Sequence, residues 1–250
     1  AGFGVPVAKY FGANDMHKMR KYIFNGAVLT GIIALIVTVV CSVCCNQILH
    51  LLSVPQDIYD KAYAYLIVIF LGIPFTLMYN YLSSVLRSLG DSRTPFMFLA
   101  FSAILNIFLD LFCIVVLKWD CAGAAIATIT AQAVSGILCL VYIFKKVQIM
   151  HLEEQDRKVE GAVVKELLIM GIPTGLQFSI TAIGSMVMQS ANNKLGSVYV
   201  SGFTAGMRIK QFTMCPFDAF ATAASVFCSQ NLGAGQAKRI KQGLWQAIAV

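Results

Sequence analysis

The chain has 250 residues, of which 58% are hydrophobic and only 12% charged, with a mean hydropathy of +0.74 and a formal net charge of +7. A soluble globular domain carries roughly 25% charged residues, so an ordinary water-soluble domain is excluded. The basic residues lie in short clusters between apolar runs rather than on one stripe, which excludes a nucleic-acid footprint and suits membrane topology.

A bilayer core takes about 20 apolar residues per helix. In chain order, residues 1–10 read as the end of one helix. Residues 22–56, 62–86, 94–109, 121–144 and 167–193 are free of Asp, Glu, Lys and Arg, and each run holds one span. The run from Thr94 needs to reach about Leu117, which carries Asp110 into the membrane. Residues 198–231 make a sixth span if Arg208, Lys210 and Asp218 are accepted. Residues 243–250 start another helix. The expected fold is therefore an all-α integral membrane protein with six complete spans. Both ends fall inside helix-like runs and no signal peptide is visible, so a piece of a longer protein is expected.

The inter-helix charges test this layout. Lys and Arg in alternate connections number fourteen against three. The positive-inside rule predicts such alternation for spans that cross in turn. It assigns segments 9–21, 87–93, 145–165 and 238–241 to the cytoplasm, and the segments around Lys61, Lys118 and Lys194 to the other side. Residues 151–165 mix both charge signs and read as a connector between a first half, 1–150, and a partial second half, 166–250. The eight cysteines are scattered, and Cys41-x-x-Cys44 has no second pair or His cluster beside it. They read as small packing residues. The three histidines, His17, His50 and His151, show no metal spacing, and no nucleophile elbow or phosphate loop is present; an enzyme is not expected.

The segment from Phe11 to Lys21 resembles the segment from Leu232 to Gln242. Gly12-Ala13 match Gly233-Ala234, Lys18 and Arg20 match Arg239 and Lys241, and Val5 matches Val226, all at one constant sequence offset. Both copies follow an apolar helix and lie on the same side by charge, so the repeat is parallel. Transporters are often built this way, with the substrate site between the halves.

Three stretches carry a resemblance to the multidrug and toxic compound extrusion (MATE) family. They are the duplicated Gly-Ala loop ending in Gln230-Asn-Leu-Gly-Ala-Gly235; Leu86-Arg-Ser-Leu-Gly-Asp-Ser-Arg-Thr-Pro95 followed by Asn106-Ile-Phe-Leu-Asp110; and Gly123-Ala-Ala-Ile-Ala-Thr128 with Gly171-Ile-Pro173. The resemblance spans essentially the whole chain, from the end of helix 2 to the start of helix 9 of a two-lobe, parallel-repeat, twelve-helix transporter. It implies a cation-coupled antiporter, driven by sodium or proton entry, that exports organic cations and amphipathic drugs. It also implies a multi-pass cell-membrane protein, monomeric at full length, with no cofactor. Its partners would be the bilayer and small amphipathic or cationic substrates, with no nucleic acid.

The resemblance implies a first-lobe cation pocket from an Asn and an Asp four apart on helix 5, a Thr on helix 6 and an Asp on helix 1. Asn106, Asp110 and Thr128 match the first three; helix 1 lies before this chain. A carboxylate at membrane depth costs at least about 2.5 kcal/mol to insert, so it should face the interior or water. Hard oxygen ligands suit sodium, and a shielded carboxylate can equally bind a proton. The plainer alternative is an Asp110 that hydrates at the outer rim. Arg208, Gln211, Cys215 and Asp218 share one helical face and either line a central cavity or contact another second-lobe helix. Pro216 frees the carbonyl of Phe212. Asn80, Gln132, Gln177 and Gln189 are further cavity candidates. The sodium-coupled branch carries an acid near the position of Thr181, and none stands here. Pro74 and Pro173 are expected to kink their helices. A lipid-linked oligosaccharide flippase of the same architecture is the alternative function, kept open by Arg208 and Lys210.

Overall fold

A computed structural model describes residues 2–51, 54, 56–150, 153–193 and 197–249; His151 and Lys194 lie outside the described residues. Ten α-helices follow one another: α1 Gly4–Gly12, α2 Met16–Val43, α3 Cys45–Leu51, α4 Tyr59–Leu71, α5 Ile73–Ser88, α6 Arg93–Leu111, α7 Asp120–Lys146, α8 Gly161–Asn193, α9 Ser197–Gly233 and α10 Ala237–Ala249. Four helical segments are long and apolar enough to cross a bilayer: Met16–Val43, Arg93–Val116, Cys121–Lys146 and Gly161–Asn192. A fifth span forms if Gln56–Leu71 and Ile73–Ser88, bent by 42°, count as one. The break falls at Gly72, just ahead of Pro74 in the first turn of α5. That is the kink expected of a proline whose ring blocks the preceding backbone bond. Pro173, in contrast, sits inside a continuous α8. The sixth expected span, α9, is 37 residues long and carries Arg208, Lys210 and Asp218 in its middle. Its length is ample for a bilayer; its three charges set it apart from the others.

Side chains such as Leu35, Val43, Phe101, Phe108 and Phe178 lie on outer faces of these helices. In water such surfaces would drive aggregation. Against hydrocarbon they are matched, while every helical backbone group is bonded within its own segment.

The chain forms two compact units, residues 1–19 with 161–250, and residues 20–160. These bounds differ from the halves expected above, because residues 1–19 pack with the C-terminal helices. In the unit of residues 20–160, α7 is central. Gly123, Ala127, Ala131, Ser135 and Cys139 recur at every fourth position and are all buried. A ridge of such small residues lets neighbouring backbones approach, and α4, α5 and α6 all pack on α7. A methyl group at Gly72 would overlap Ile129 of α7.

In the other unit, α1 packs on α9, and there the sequence repeat becomes a structural one. Ala13 N–H donates to Lys9 O and Ala234 N–H to Gln230 O, each at 3.0 Å. Asp15 N–H donates to Tyr10 O at 3.0 Å and Gln236 N–H to Asn231 O at 2.8 Å. Between them stand Asn14 at φ 58° and Gly235 at φ 69°. Both helices thus end in the same left-handed cap, a conformation open to Gly and Asn. Every one of these pairs keeps the offset of the sequence repeat. The two caps also meet reciprocally. A methyl group on Gly12 would overlap the Gln230 carbonyl, and one on Gly233 would overlap the Lys9 carbonyl. Gln230 is the repeat mate of Lys9 and Gly233 that of Gly12, so the contact has a local two-fold, the signature of a self-complementary interface. Gly171 faces Phe3, whereas Gly175, Gly202 and Gly206 face open space.

Candidate functional site

The site is built by two antiparallel helices, α6 and α7. One side chain pins their register: Ser102 Oγ donates to Ala131 O at 2.6 Å; Ser135 Oγ donates to Ala131 O of its own helix at 3.2 Å and lies 3.5 Å from Phe98 O. Further along, Gly123 abuts Cys113. This register sets Asn106 level with Thr128 and Asp110 about one turn further, near Ala124. The α6 rod does not stop at Asp110. It continues through a π-helical turn, Phe112–Val116, so Asp110 lies within the span Arg93–Val116 rather than at its end. The helix runs on for about 9 Å of rise beyond it. Wide π turns concentrate at functional sites.

Most membrane-depth hydroxyls here satisfy themselves on their own helix. Thr174, Thr181, Thr204, Thr213 and Thr222 each donate to the carbonyl four positions back. Asn106 Nδ2, Asp110 Oδ1 and Gln132 Oε1 do not: all three atoms are buried and have no hydrogen-bond partner among the described residues. Thr30, Thr38 and Ser42 on α2 carry buried oxygens without partners as well, so what sets Asp110 apart is that its orphaned atom is a carboxylate oxygen inside a span. Thr128 Oγ donates its proton to Ala124 O at 2.9 Å, which leaves the oxygen lone pairs free to accept or to coordinate. Asp110 and Thr128 thus offer hard oxygens, and Asn106 adds one through its amide. This donor set fits a small hard cation or a proton.

The remaining predicted residues do not join this cluster. Asn80 is on an exposed face of α5; Gln177 is exposed on α8; Arg208, Gln211 and Asp218 are exposed along α9. Thr181, also exposed, donates to Gln177 O at 2.9 Å. Arg208 and Asp218 form no ion pair among the described residues. Gln132 Oε1 is likewise buried without a partner, but the register puts it level with Ser102, about two turns of α7 from the level of Asp110. Sequence reasoning missed the polar residue that fixes the site's frame, Ser102. Its only signal is a lone hydroxyl in an otherwise apolar stretch, common to many helices that use it locally.

At the basic end of α6, the Gly90-Asp91 turn is as its sequence suggests. Gly90 adopts φ 91°, and Asp91 Oδ1 accepts the Thr94 N–H at 3.0 Å, capping the helix. Partial burial alone would push the Asp91 carboxyl up, but hydrogen bonds from Thr94, Tyr142 and Arg93 outweigh it and hold it below the ordinary carboxylate value.

Several membrane-length helices with a carboxylate inside one of them define a polytopic α-helical membrane protein. The MatE family model matches residues 1–112 and 173–250, and the chain belongs to that family, the multidrug and toxic compound extrusion family, whose members are transporters and not enzymes. The chain is 37% identical over 194 residues to the probable multidrug resistance protein YpnP of Bacillus subtilis (strain 168), covering 77% of this chain and 43% of that protein. It is 24% identical to the multidrug export protein MepA of Staphylococcus saprophyticus, covering 84% of this chain and 47% of that protein. Its fold matches a solved outward-facing multidrug resistance MATE transporter of the MOP superfamily with a TM-score of 0.91 at 22% identity, covering 99% of this chain and 55% of that one. The chain spans about half the length of the curated relatives it matches. It is a multi-pass membrane protein.

Proposed function

We propose that the transporter to which this chain belongs is a cation-coupled antiporter that exports small amphipathic or cationic compounds by alternating access. The observation that carries this reading is the pair of buried, unpartnered polar atoms on Asn106 and Asp110 inside one span, with Thr128 level with them on α7. A carboxylate held inside a span is costly unless its charge does something there. A proton or sodium ion entering down its gradient binds at Asp110, with Asn106 and Thr128 completing the ligand set. For that ion to drive export, it must bind one access state more tightly than the other; equal affinity would shift nothing. Residues 1–150 and 166–250 act as the two lobes, joined by the connector 151–165 and lined toward the substrate by Asn80, Gln132, Gln177, Arg208, Gln211 and Asp218. The basic segments face the cytoplasm, so export runs away from them. The names of YpnP and MepA support drug-like cargo.

The test uses the full-length transporter in a drug-sensitive host. Ethidium efflux is compared for wild type and Asp110→Asn at equal expression, with sodium and proton gradients imposed separately. Wild type should extrude the dye and Asp110→Asn should not, and the effective gradient identifies the ion. Equal efflux by both proteins would remove Asp110 from the coupling step.

A further inference from the structure

The chain passes between its two compact units twice, at Met19–Arg20 and at Glu160–Gly161. These points are far apart in sequence, yet the first turns of α2 hold both. Asn25, fully buried, uses its whole amide: Nδ2 donates to Lys21 O at 2.9 Å and to Lys158 O at 3.1 Å, and Oδ1 accepts the Glu160 N–H at 3.0 Å. Lys21 Nζ pairs with the Glu160 carboxylate. Beside Lys21, Arg20 Nε donates to Ile149 O at 2.9 Å, and its Nη1 pairs with Glu153 and, at 3.7 Å, with the fully buried Asp156. Glu153 and Asp156 in turn cap each other around the short helical turn Glu154–Arg157.

Asn25 and Asp156 are fully buried at the centre of this network, while the Glu153 and Glu160 side chains reach solvent at its edge; satisfied polar groups at a buried centre favour one geometry. Its effect on the connector is large. From Val147 to Glu160 an extended chain could reach about 45–50 Å. Tied at Ile149, Glu153, Asp156, Lys158 and Glu160, it has almost no slack at its exit. We propose that this clasp is permanent: it keeps residues 20–25 and 158–160 side by side throughout the transport cycle, so the connector pays out no length at its exit. The clasp itself rests on the contacts above; its persistence through a transport cycle rests on the alternating-access reading.

The test uses the full-length transporter in a cysteine-free background carrying Lys21→Cys and Glu160→Cys, joined by a short bifunctional maleimide. We expect near-complete cross-linking with and without an ion gradient, and dye efflux within twofold of the unlinked protein. A tenfold or greater loss of efflux on linking, or linking that needs one gradient condition, would show that the clasp opens during the cycle and would overturn the proposal. Hydrogen exchange provides an arm independent of transport. The Glu160 amide should be protected in wild type under every gradient and exchange at least tenfold faster in Asn25→Ala. A freely exchanging Glu160 amide in wild type would refute the clasp. If the wild type moves no dye, the export reading fails, while cross-linking yield and exchange still decide whether the clasp holds.

Discussion

The reciprocal glycine contact permits a sharp test of the internal symmetry. A β-carbon on Gly12 would lie 2.7 Å from Gln230 Cα, and one on Gly233 would lie 2.9 Å from Ala13 N and 2.8 Å from the Lys9 carbonyl carbon, each also overlapping a carbonyl oxygen. Those neighbours are backbone and cannot swing aside, so α1 and α9 must separate. Overpacking of this kind costs about 1–3 kcal/mol, and close Cα–H to carbonyl contacts are lost as well. The two-fold arrangement adds two quantitative demands. Gly12→Ala and Gly233→Ala should cost the same to within about 0.5 kcal/mol. The double variant should cost clearly less than their sum, because a helix pair already spread for one methyl group has room for the other. Thermal unfolding of the purified full-length protein in detergent, monitored by accessibility of buried cysteines, reads all three. A neutral Gly12→Ala beside a destabilising Gly233→Ala would refute the reciprocal contact, and strict additivity would refute a shared separation.

Three further outcomes follow from the other elements. Ala127→Leu, placed on the buried ridge of small residues on α7, should destabilise by about 1–3 kcal/mol through overpacking, whereas Ile137→Ala on an exposed face should shift the same unfolding midpoint little. Ser102→Ala removes an interhelical hydrogen bond and should cost only about 0.6 kcal/mol; a loss several times larger would mean that the serine orders more than the α6/α7 register. Asp91 is held below its ordinary carboxylate value by net hydrogen bonding, so its contribution is complete above pH about 4 and is lost as pH falls through the lower folded value. The stability difference between wild type and Asp91→Ala, about 1 kcal/mol for a helix cap, should therefore hold from pH 7 to about 4 and shrink below it; a difference that grows on acidification would contradict the cap.

The spans themselves are legible because lipid imposes a simple demand. About twenty residues without charge must form a helix, and alternating Lys and Arg report which ends lie together. The runs at 22–56 and 94–117 read as single rods, yet the chain breaks after Val43 and widens into a π turn at Phe112–Val116. Apolar composition is the same on both sides of such breaks, so hydropathy does not mark them. The kink at Pro74 is legible because a proline ring excludes a backbone bond wherever it falls; that Pro173 leaves α8 continuous is not.

For the candidate site, sequence alone determined that Asp110 enters a span and that Asn106 shares its helical face, since both follow from the rise and periodicity of an α-helix. Only the tertiary structure decided that Asn106 stands level with Thr128, because that depends on the antiparallel register of α6 and α7 set by Ser102. The repeat is visible as matching letters near the two ends of the chain. That its two copies touch across a two-fold, and that Asn25 ties Lys158 and Glu160 to the start of α2, are facts about backbone approach and burial. No local pattern encodes them: each depends on segments remote in sequence meeting within hydrogen-bonding or van der Waals distance.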